Sequence, residues 1–106
     1  MTDIDRLHRE LVARVLDSDA TAPKQLRRAA FDDAGLDEPI ATLVDRVAHH
    51  AHKVTDDDVA AVRAAGLNED QIFEIMVCAA IGQADRQYAS ARAALATAAS
   101  DSGGLT

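Results

Sequence analysis

Apolar residues recur along this chain at three- and four-residue intervals, in segments bounded by capping residues, prolines and glycines. This spacing places them on one face of a helix, whereas runs of β-branched residues are absent and no Asn-Gly or Asp-Gly pair is flanked by alternating apolar residues. The first segment, from Asp3 to Asp17, predicts an amphipathic helix with one buried stripe. The predicted stripe consists of Ile4, Leu7, Leu11 and Val15.

Start and stop signals predict the next two helices. Thr21 can cap a second helix that has Pro23 inside its first turn and ends at Gly35, where glycine adopts the left-handed conformation at little cost. Asp37 can cap a third helix, with Pro39 in its first turn. The buried face of this third helix is predicted to be Ile40, Leu43, Val44, Val47 and Ala51.

A fourth helix is predicted from about Asp56 to Ala65. Thr55 and Asp58 resemble a capping box, in which each side chain accepts a hydrogen bond from the other residue's backbone, with Asp in place of the usual Glu. The helix is expected to end at Gly66, another residue suited to a left-handed C-terminal position.

The stretch from Asn68 to Ile81 predicts the central helix of the fold. Asn68 and Gln71 can cap its first turn reciprocally. In its apolar part, Glu74 is the only charge before Asp85. A helix that is apolar on nearly every side must be surrounded by other helices or by a partner chain.

Two apolar seams run along this helix, which we expect to reach Ala99, with Gly82 loosening or bending it. The Phe73 seam consists of Phe73, Val77, Ala80, Ala84, Tyr88, Ala91 and Leu95. The Ile72 seam consists of Ile72, Ile75, Met76 and Ala79. Two seams predict neighbours on two sides of the first half of the helix, then on one side only.

Length and composition fit a single all-α domain. The chain has 106 residues, and its 48% hydrophobic content includes many alanines, which are the strongest helix formers. We therefore predict a small bundle of about five helices over residues 1–99, with a long, largely buried C-terminal helix. Residues 100–106 are predicted to be a disordered tail.

Charge, hydropathy and cysteine content argue against several classes of protein. The net charge of −7 disfavours nucleic acid as a partner, because neutralising phosphates requires a basic face. No apolar run approaches the roughly 18 residues of a membrane span. One cysteine excludes an internal disulfide and is typical of a reducing compartment, so a cytoplasmic location is expected.

The histidines near the end of the third predicted helix raise the question of a metal site. Asp45, His49 and His52 share a narrow helical sector, and imidazole and carboxylate at this spacing can share one ion. That sector lies opposite the predicted apolar face, so a site there would be exposed and weak. We therefore predict no metal ligands and no cofactor. His50 differs, because it borders the apolar stripe, where a half-buried imidazole could act in a site.

Cys78 is the only thiol, and its surroundings disfavour catalysis. The carboxylate of Glu74, four residues earlier, and the apolar surroundings both raise the pKa of the thiol, whereas a nucleophile requires a lowered pKa. We therefore interpret Cys78 as a core residue. Glu74 itself must find a partner, and a structural hydrogen bond or an ion pair with an arginine is expected.

The segment from Gly66 to Glu74, GLNEDQIFE, and the helix through Ala79–Ile81 resemble a known family. They are similar to the second half of the alkylhydroperoxidase D-like, or carboxymuconolactone decarboxylase-like, all-helical superfamily. The resemblance covers roughly residues 38–95. It implies packing of such helices into dimers, trimers or hexamers.

The resemblance also implies an active-site position, at which this chain lacks the redox residues. Peroxidase members carry a glutamate and then a CxxCxxxH motif at the start of the helix before the Gly-Leu turn. Counted back from Gly66, the two cysteine positions fall on Ala51 and Val54. The histidine position falls on Asp58, and the glutamate lies within one residue of Glu38. Without two thiols, a disulfide cycle cannot reduce a peroxide.

Two main hypotheses for the function follow. The first is a superfamily member without the cysteine pair, with a small-molecule pocket near His50, Asp58 and Glu38. If the chain is an enzyme, acid–base chemistry such as decarboxylation or isomerisation is expected there rather than peroxide reduction, and binding of a small molecule is the other expectation. The alternative is a non-catalytic helical module that oligomerises or binds another protein. A homo-oligomer is expected, and metal storage or sensing through the histidines is a third hypothesis.

Overall fold

The computed structural model describes residues 3–17 and 20–105, with side chains described as far as Ser100. In these ranges the chain forms five α-helices and no strand, so the predicted all-α bundle with a long last helix is confirmed. The helices are α1 (Asp3–Asp17), α2 (Lys24–Asp32), α3 (Ile40–His49), α4 (Asp56–Ala64) and α5 (Glu69–Leu105), and a 3-10 turn (Ala51–Lys53) follows α3. None of these described helices combines the length and the apolar character that crossing a bilayer requires.

The hydrophobic core lies between the first half of α5 and the helices that cover it. Ile75 of α5 packs in one cluster with Phe31 of α2 and Val44 of α3, and Ile72 packs in a second cluster with Leu43 and Val62. Three of the four residues of the Ile72 seam are buried, and the fourth, Met76, is half-buried. The Ile72 seam is therefore the side of α5 that the chain itself covers.

Helix α1 has the predicted bounds but packs through a different face. The prediction that its apolar stripe is buried is wrong for Ile4, Leu7 and Leu11, which are 68%, 57% and 46% exposed. The half-buried or buried residues of α1 are Asp5, His8, Val12, Val15 and Leu16. This face combines polar residues, which meet polar groups on the second half of α5, with Val12, Val15 and Leu16, which pack against the core.

Polar contacts join the first half of this face of α1 to α5. The Tyr88 hydroxyl donates to Asp5 at 2.6 Å, and Arg92 pairs with the same carboxylate at 3.3 Å. His8 contacts the Asp85 carboxylate, and its ring lies 4.9 Å from the Tyr88 ring. Amphipathic spacing shows which residues share a face, but it does not show which face meets a polar neighbour.

Two predicted capping arrangements are confirmed. Thr55 and Asp58 exchange side-chain-to-backbone hydrogen bonds at 3.0 and 3.2 Å and form a capping box at the start of α4. Asn68 and Gln71 do the same at the start of α5, at 3.0 and 2.9 Å. Each box satisfies donors of a first helical turn, and its partners are only three residues apart, so local sequence is sufficient to predict it.

The bounds of α2 differ from the prediction at both ends. Pro23 is the N-cap and no side chain caps the helix, because Thr21 is engaged with Glu74 instead. At the other end, the left-handed residue that ends the helix is Asp33, with φ 51°, two residues before Gly35. Aspartate tolerates this conformation better than most residues with a Cβ, so the helix ends earlier than the glycine predicted.

Helix α3 also begins and ends differently from the prediction. The expected cap, Asp37, contributes its backbone carbonyl, whereas the Glu38 side chain accepts the hydrogen bond of a first-turn N–H. The helix stops at His49, because His50 leaves the helical conformation with φ −145°. Ala51 therefore lies in the 3-10 turn and is exposed, so its predicted place on the buried face of α3 is wrong.

The last helix continues to Leu105, past the end at Ala99 that the sequence predicted. Thr106 lies outside the described residues. Helical geometry does not itself measure motion, so the expected disorder of residues 100–106 stays a prediction.

Gly82 has a packing role in the contact between α2 and α5, and the expected loosening or bending of α5 there stays a prediction. A Cβ added at Gly82 would lie 2.7 Å from the carbonyl carbon of Phe31 and would overlap its oxygen. The same oxygen accepts a hydrogen bond from Arg86 Nη1 at 2.6 Å. Glycine therefore lets the backbones of α2 and α5 approach closely, and Arg86 binds the carbonyl at the point of contact.

Replacing Gly82 with alanine should destabilise the fold. The added methyl group meets backbone, which cannot rotate away, so we expect a loss of roughly 1–3 kcal/mol in the free energy of unfolding. Ser90→Ala on the exposed part of the same helix is the matched control and should change stability by less than about 0.5 kcal/mol. Urea denaturation measures both. A Gly82→Ala variant as stable as the control would contradict the close approach.

Candidate functional site

Glu38, a predicted acid–base residue, lies just before α3 and binds its first turn. Its Oε1 accepts a hydrogen bond from the Thr42 backbone N–H at 2.7 Å, and both carboxylate oxygens accept from the Thr42 hydroxyl, at 2.8 and 2.6 Å. The residue is exposed. These contacts satisfy a donor that the helix start leaves open, so they give Glu38 a structural role.

Asp58 is held by two separate partners. It accepts a hydrogen bond from the Thr55 backbone, and both of its oxygens lie within 2.7 Å of Arg46 Nη1. The backbone hydrogen bond from Thr55 and the hydrogen bond and charge of Arg46 outweigh desolvation and lower the pKa of this carboxyl. A lowered pKa suits an ion pair and opposes a role as a general acid.

His50 is exposed where α3 ends, with its ring 6.3 Å from the ring of His52. Its backbone N–H donates to the Arg46 carbonyl at 2.7 Å. Across the described side chains, no hydrogen bond or ion pair joins any two of His50, Asp58 and Glu38. Their joint catalytic role stays a prediction.

The carboxylate of Glu74 ties the segment between α1 and α2 to α5. Its Oε1 accepts hydrogen bonds from the N–H and hydroxyl of Thr21 at 3.1 and 3.0 Å, and its Oε2 accepts from the Ala22 N–H at 2.6 Å. Burial raises the pKa of this carboxyl, but the hydrogen bonds from Ala22 and Thr21, with the charge of Arg27, lower it overall. The expected structural hydrogen bond of Glu74 is thus present.

Arg27 is a buried cation that the sequence analysis missed. It is 2% exposed, and it donates from Nε to the Ala22 carbonyl at 3.1 Å and from Nη1 to the Val15 carbonyl at 3.0 Å. It thereby links the end of α1 to the segment before α2. Its position three and four residues before Ala30 and Phe31 could have predicted its burial, because residues at these spacings share a helix face.

Cys78 behaves as the predicted core thiol. It is 2% exposed, and desolvation raises the pKa of the thiol, with Arg27 lowering it and Glu74 raising it by smaller amounts. With these two residues it lines an open recess of about 150 Å³ between α1 and α5. The other lining residues are the apolar Val15, Ala20, Phe73 and Val77. This recess suits an apolar group better than a charged substrate.

His49 has carboxylate neighbours from two helices. Its Nε2 lies 3.1 Å from Asp33 Oδ2, at the end of α2, and 4.0 Å from Asp45 Oδ1, on its own helix. One ligand atom from each of these three residues falls within 4.8 Å of the other two. His52, the third residue of the predicted sector, is not in this group, because α3 stops before it and the chain turns.

The Phe73 seam of α5 is mostly exposed. Phe73 is 67% and Leu95 is 72% exposed, the alanines between them are exposed, and Val77 and Tyr88 are half-buried. At about 100° per residue, this seam lies roughly opposite the Ile72 seam. The chain therefore covers one of the two predicted apolar sides of α5 and leaves the other largely open.

Comparison with protein-family models, with curated proteins and with solved structures finds no match to this chain. The resemblance of residues 38–95 to the alkylhydroperoxidase D-like superfamily stays a prediction that rests on the sequence alone.

Replacing Glu74 with glutamine should weaken the tie between α5 and the segment before α2. The charged acceptor of three hydrogen bonds is lost, so we expect about 1–2 kcal/mol of destabilisation at neutral pH. The folded-state pKa of Glu74 is lowered from 4.5, so its contribution is present above this value and is lost as pH falls through the folded pKa. The difference between wild type and variant should therefore shrink in acid.

Glu69→Gln is the matched control for this measurement. Glu69 pairs with Arg63 at 2.8 Å, but its side chain is 80% exposed, so its removal should cost less than about 0.5 kcal/mol. Chemical denaturation at neutral pH and at several values below 4.5 measures both variants. Equal losses in the two, or a Glu74→Gln loss that persists in acid, would contradict the proposed role of the carboxylate.

Proposed function

We propose that this chain is a non-catalytic helical module that self-associates, with α5 of one copy pairing in antiparallel orientation with α5 of a second. The observation that carries the proposal is the exposed Phe73 seam. Large apolar side chains on a helix face opposite the core favour burial against another surface. The length of the seam, about 33 Å from Phe73 to Leu95, is sufficient for a helix pair.

The spacing of the Phe73 seam supports a second copy as the partner. Its residues follow one another at intervals of four, three, four, four, three and four, which reads the same in both directions about Ala84. An antiparallel pair with Ala84 on the two-fold axis therefore matches each seam residue with another. In this register Phe73 faces Leu95 of the second copy, and Val77 faces Ala91. Such a self-complementary surface is what a two-fold interface requires.

The distribution of charge along α5 supports the antiparallel direction. Residues 69–85 contain four acidic side chains and no Lys or Arg, whereas residues 86–100 contain Arg86 and Arg92 and no acid. An antiparallel pair places each acidic half beside a basic half. Both arginines also have partners within the chain, so this complementarity favours the direction of pairing more than its strength.

Other exposed apolar groups extend the surface available for association. Ile4, Leu7 and Leu11 form an exposed stripe on α1. Phe73 itself lines two open recesses of about 150 Å³ each, one beside α1 and one beside α4. A large apolar side chain of a second copy can enter such a recess and exclude water from it. The alanines of the Phe73 seam bury less apolar surface, so on their own they would contribute little.

The acid–base hypothesis stays a prediction and receives less support from the geometry. Glu38 binds the first turn of α3 and Asp58 binds Arg46, so both carboxylates already have structural partners. His50 is exposed and has no described hydrogen bond through its ring. Substitution of these residues would test this hypothesis only after a substrate is known.

Charged substitutions on the Phe73 seam should break the association. Phe73→Asp and Leu95→Asp each place a carboxylate in the proposed interface, and we expect the dissociation constant to rise at least about a hundredfold. Light scattering coupled to size exclusion, over a range of concentrations, should show a wild-type dimer and a monomeric variant.

Thr97→Asp is the control for this experiment, because Thr97 is exposed on the side of α5 away from the seam. It should dimerise as the wild type does. A wild-type chain that stays monomeric at every concentration would contradict the proposal. Equal dissociation by Thr97→Asp would move the interface away from the seam.

A thiol placed on the proposed axis should cross-link two copies. Ala84→Cys brings two cysteines together, whereas Ala91→Cys places them far apart, because Ala91 faces Val77 of the second copy. We expect a short bifunctional thiol reagent to cross-link the first variant and not the second. Both carry a Cys78→Ala background to remove the native thiol. Cross-linking of Ala91→Cys alone would indicate a different register.

A further inference from the structure

We propose that Asp33, Asp45 and His49 form a binding site for one divalent transition-metal cation of the kind that accepts mixed nitrogen and oxygen ligands, such as Zn²⁺. The three side chains come from the end of α2 and from α3. This site is independent of the Phe73 seam, and it uses a ligand set different from the helical sector of Asp45, His49 and His52.

The distances within the cluster are close to those of a coordinated ion. Zinc binds imidazole nitrogen and carboxylate oxygen at about 2.0–2.2 Å, so two tetrahedral ligand atoms lie about 3.3 Å apart. His49 Nε2 and Asp33 Oδ2 are already 3.1 Å apart. Asp45 Oδ1 lies 4.0 Å from the same nitrogen, so it must move closer to reach the spacing of a coordinated ion. Its side chain is 60% exposed, so a small rotation meets little resistance.

The charge of the cluster favours a cation. Among the described side chains, neither Asp33 nor Asp45 has an arginine or lysine partner, and His49 is the group that both approach. A divalent ion bound among the three side chains would neutralise both carboxylates and would take Nε2 of His49, in its unprotonated form, as the third ligand.

The chemistry of the donors indicates the class of ion. Imidazole suits Zn²⁺, Co²⁺ and Ni²⁺ better than Mg²⁺ or Ca²⁺, which prefer ligands made only of oxygen. Three protein ligands leave at least one coordination position for water. Because the site is largely exposed, we expect moderate affinity and reversible loading.

Titration of the untagged protein with Zn²⁺ in a calorimeter, and with Co²⁺ followed by visible absorption, tests the site. We expect one ion per chain and a Co²⁺ spectrum typical of nitrogen and oxygen ligands. His49→Ala and Asp33→Asn should each weaken binding by about tenfold or more. Asparagine also tolerates the left-handed conformation of Asp33, so this variant should keep its fold, and circular dichroism checks it.

His52→Ala is the matched control, because it removes an exposed imidazole close in sequence but contributes no ligand to the cluster. It should bind both ions as the wild type does. Three results would each overturn the proposal: no binding at millimolar metal, a loss in His52→Ala as large as in His49→Ala, or unchanged affinity in Asp33→Asn. A ratio of one ion to two chains would also overturn it, because the site would then lie between copies.

Discussion

The rest of the structure depends on one constraint, which is that α5 has two apolar sides and the other described helices cover only one of them. The helices α2 and α3 pack on the Ile72 seam, and Gly82 allows α2 to approach α5 closely. The second half of α5 extends beyond this cover, and every described side chain from Ala89 to Ser100 is exposed. The described helices therefore bury the Ile72 seam and leave the Phe73 seam largely exposed.

Polar contacts position the elements that the core does not fix. The Glu74 carboxylate binds the backbone before α2, and the Arg27 guanidinium binds carbonyls at the end of α1 and before α2. Together these two side chains form hydrogen bonds with backbone groups at the end of α1 and in the segment before α2. The half-buried Glu74 and the buried Arg27 are costly to disturb, because removing either leaves backbone groups without partners. The perturbed carboxylate of α5 is therefore explained by structure, without a catalytic role.

Local features could be predicted from the sequence, and features set by distant contacts could not. The capping boxes at Thr55 and Asn68 involve residues three apart, so their partners are visible in the sequence. The buried face of α1 depends on Asp85 and Tyr88, far along the chain, and the apolar stripe alone predicted the wrong face. The same holds for the cluster of Asp33, Asp45 and His49, because helical spacing relates residues of one helix only. Asp33, at the end of α2, lies beside His49 only because the helices pack together in the fold. Sequence spacing within one helix cannot predict such a contact.

The candidate acid–base residues illustrate why a family position does not by itself give a function. Glu38 and Asp58 each lie in or beside the first turn of a helix, where backbone N–H groups need acceptors and where a carboxylate is favoured by the helix dipole. A carboxylate can therefore persist at such a position for structural reasons alone. The Phe73 seam has no comparable explanation within the chain, because exposed Phe and Leu side chains satisfy no backbone group and gain nothing from water. That asymmetry is why the surface of α5, and not the end of α3, supports the stronger functional argument.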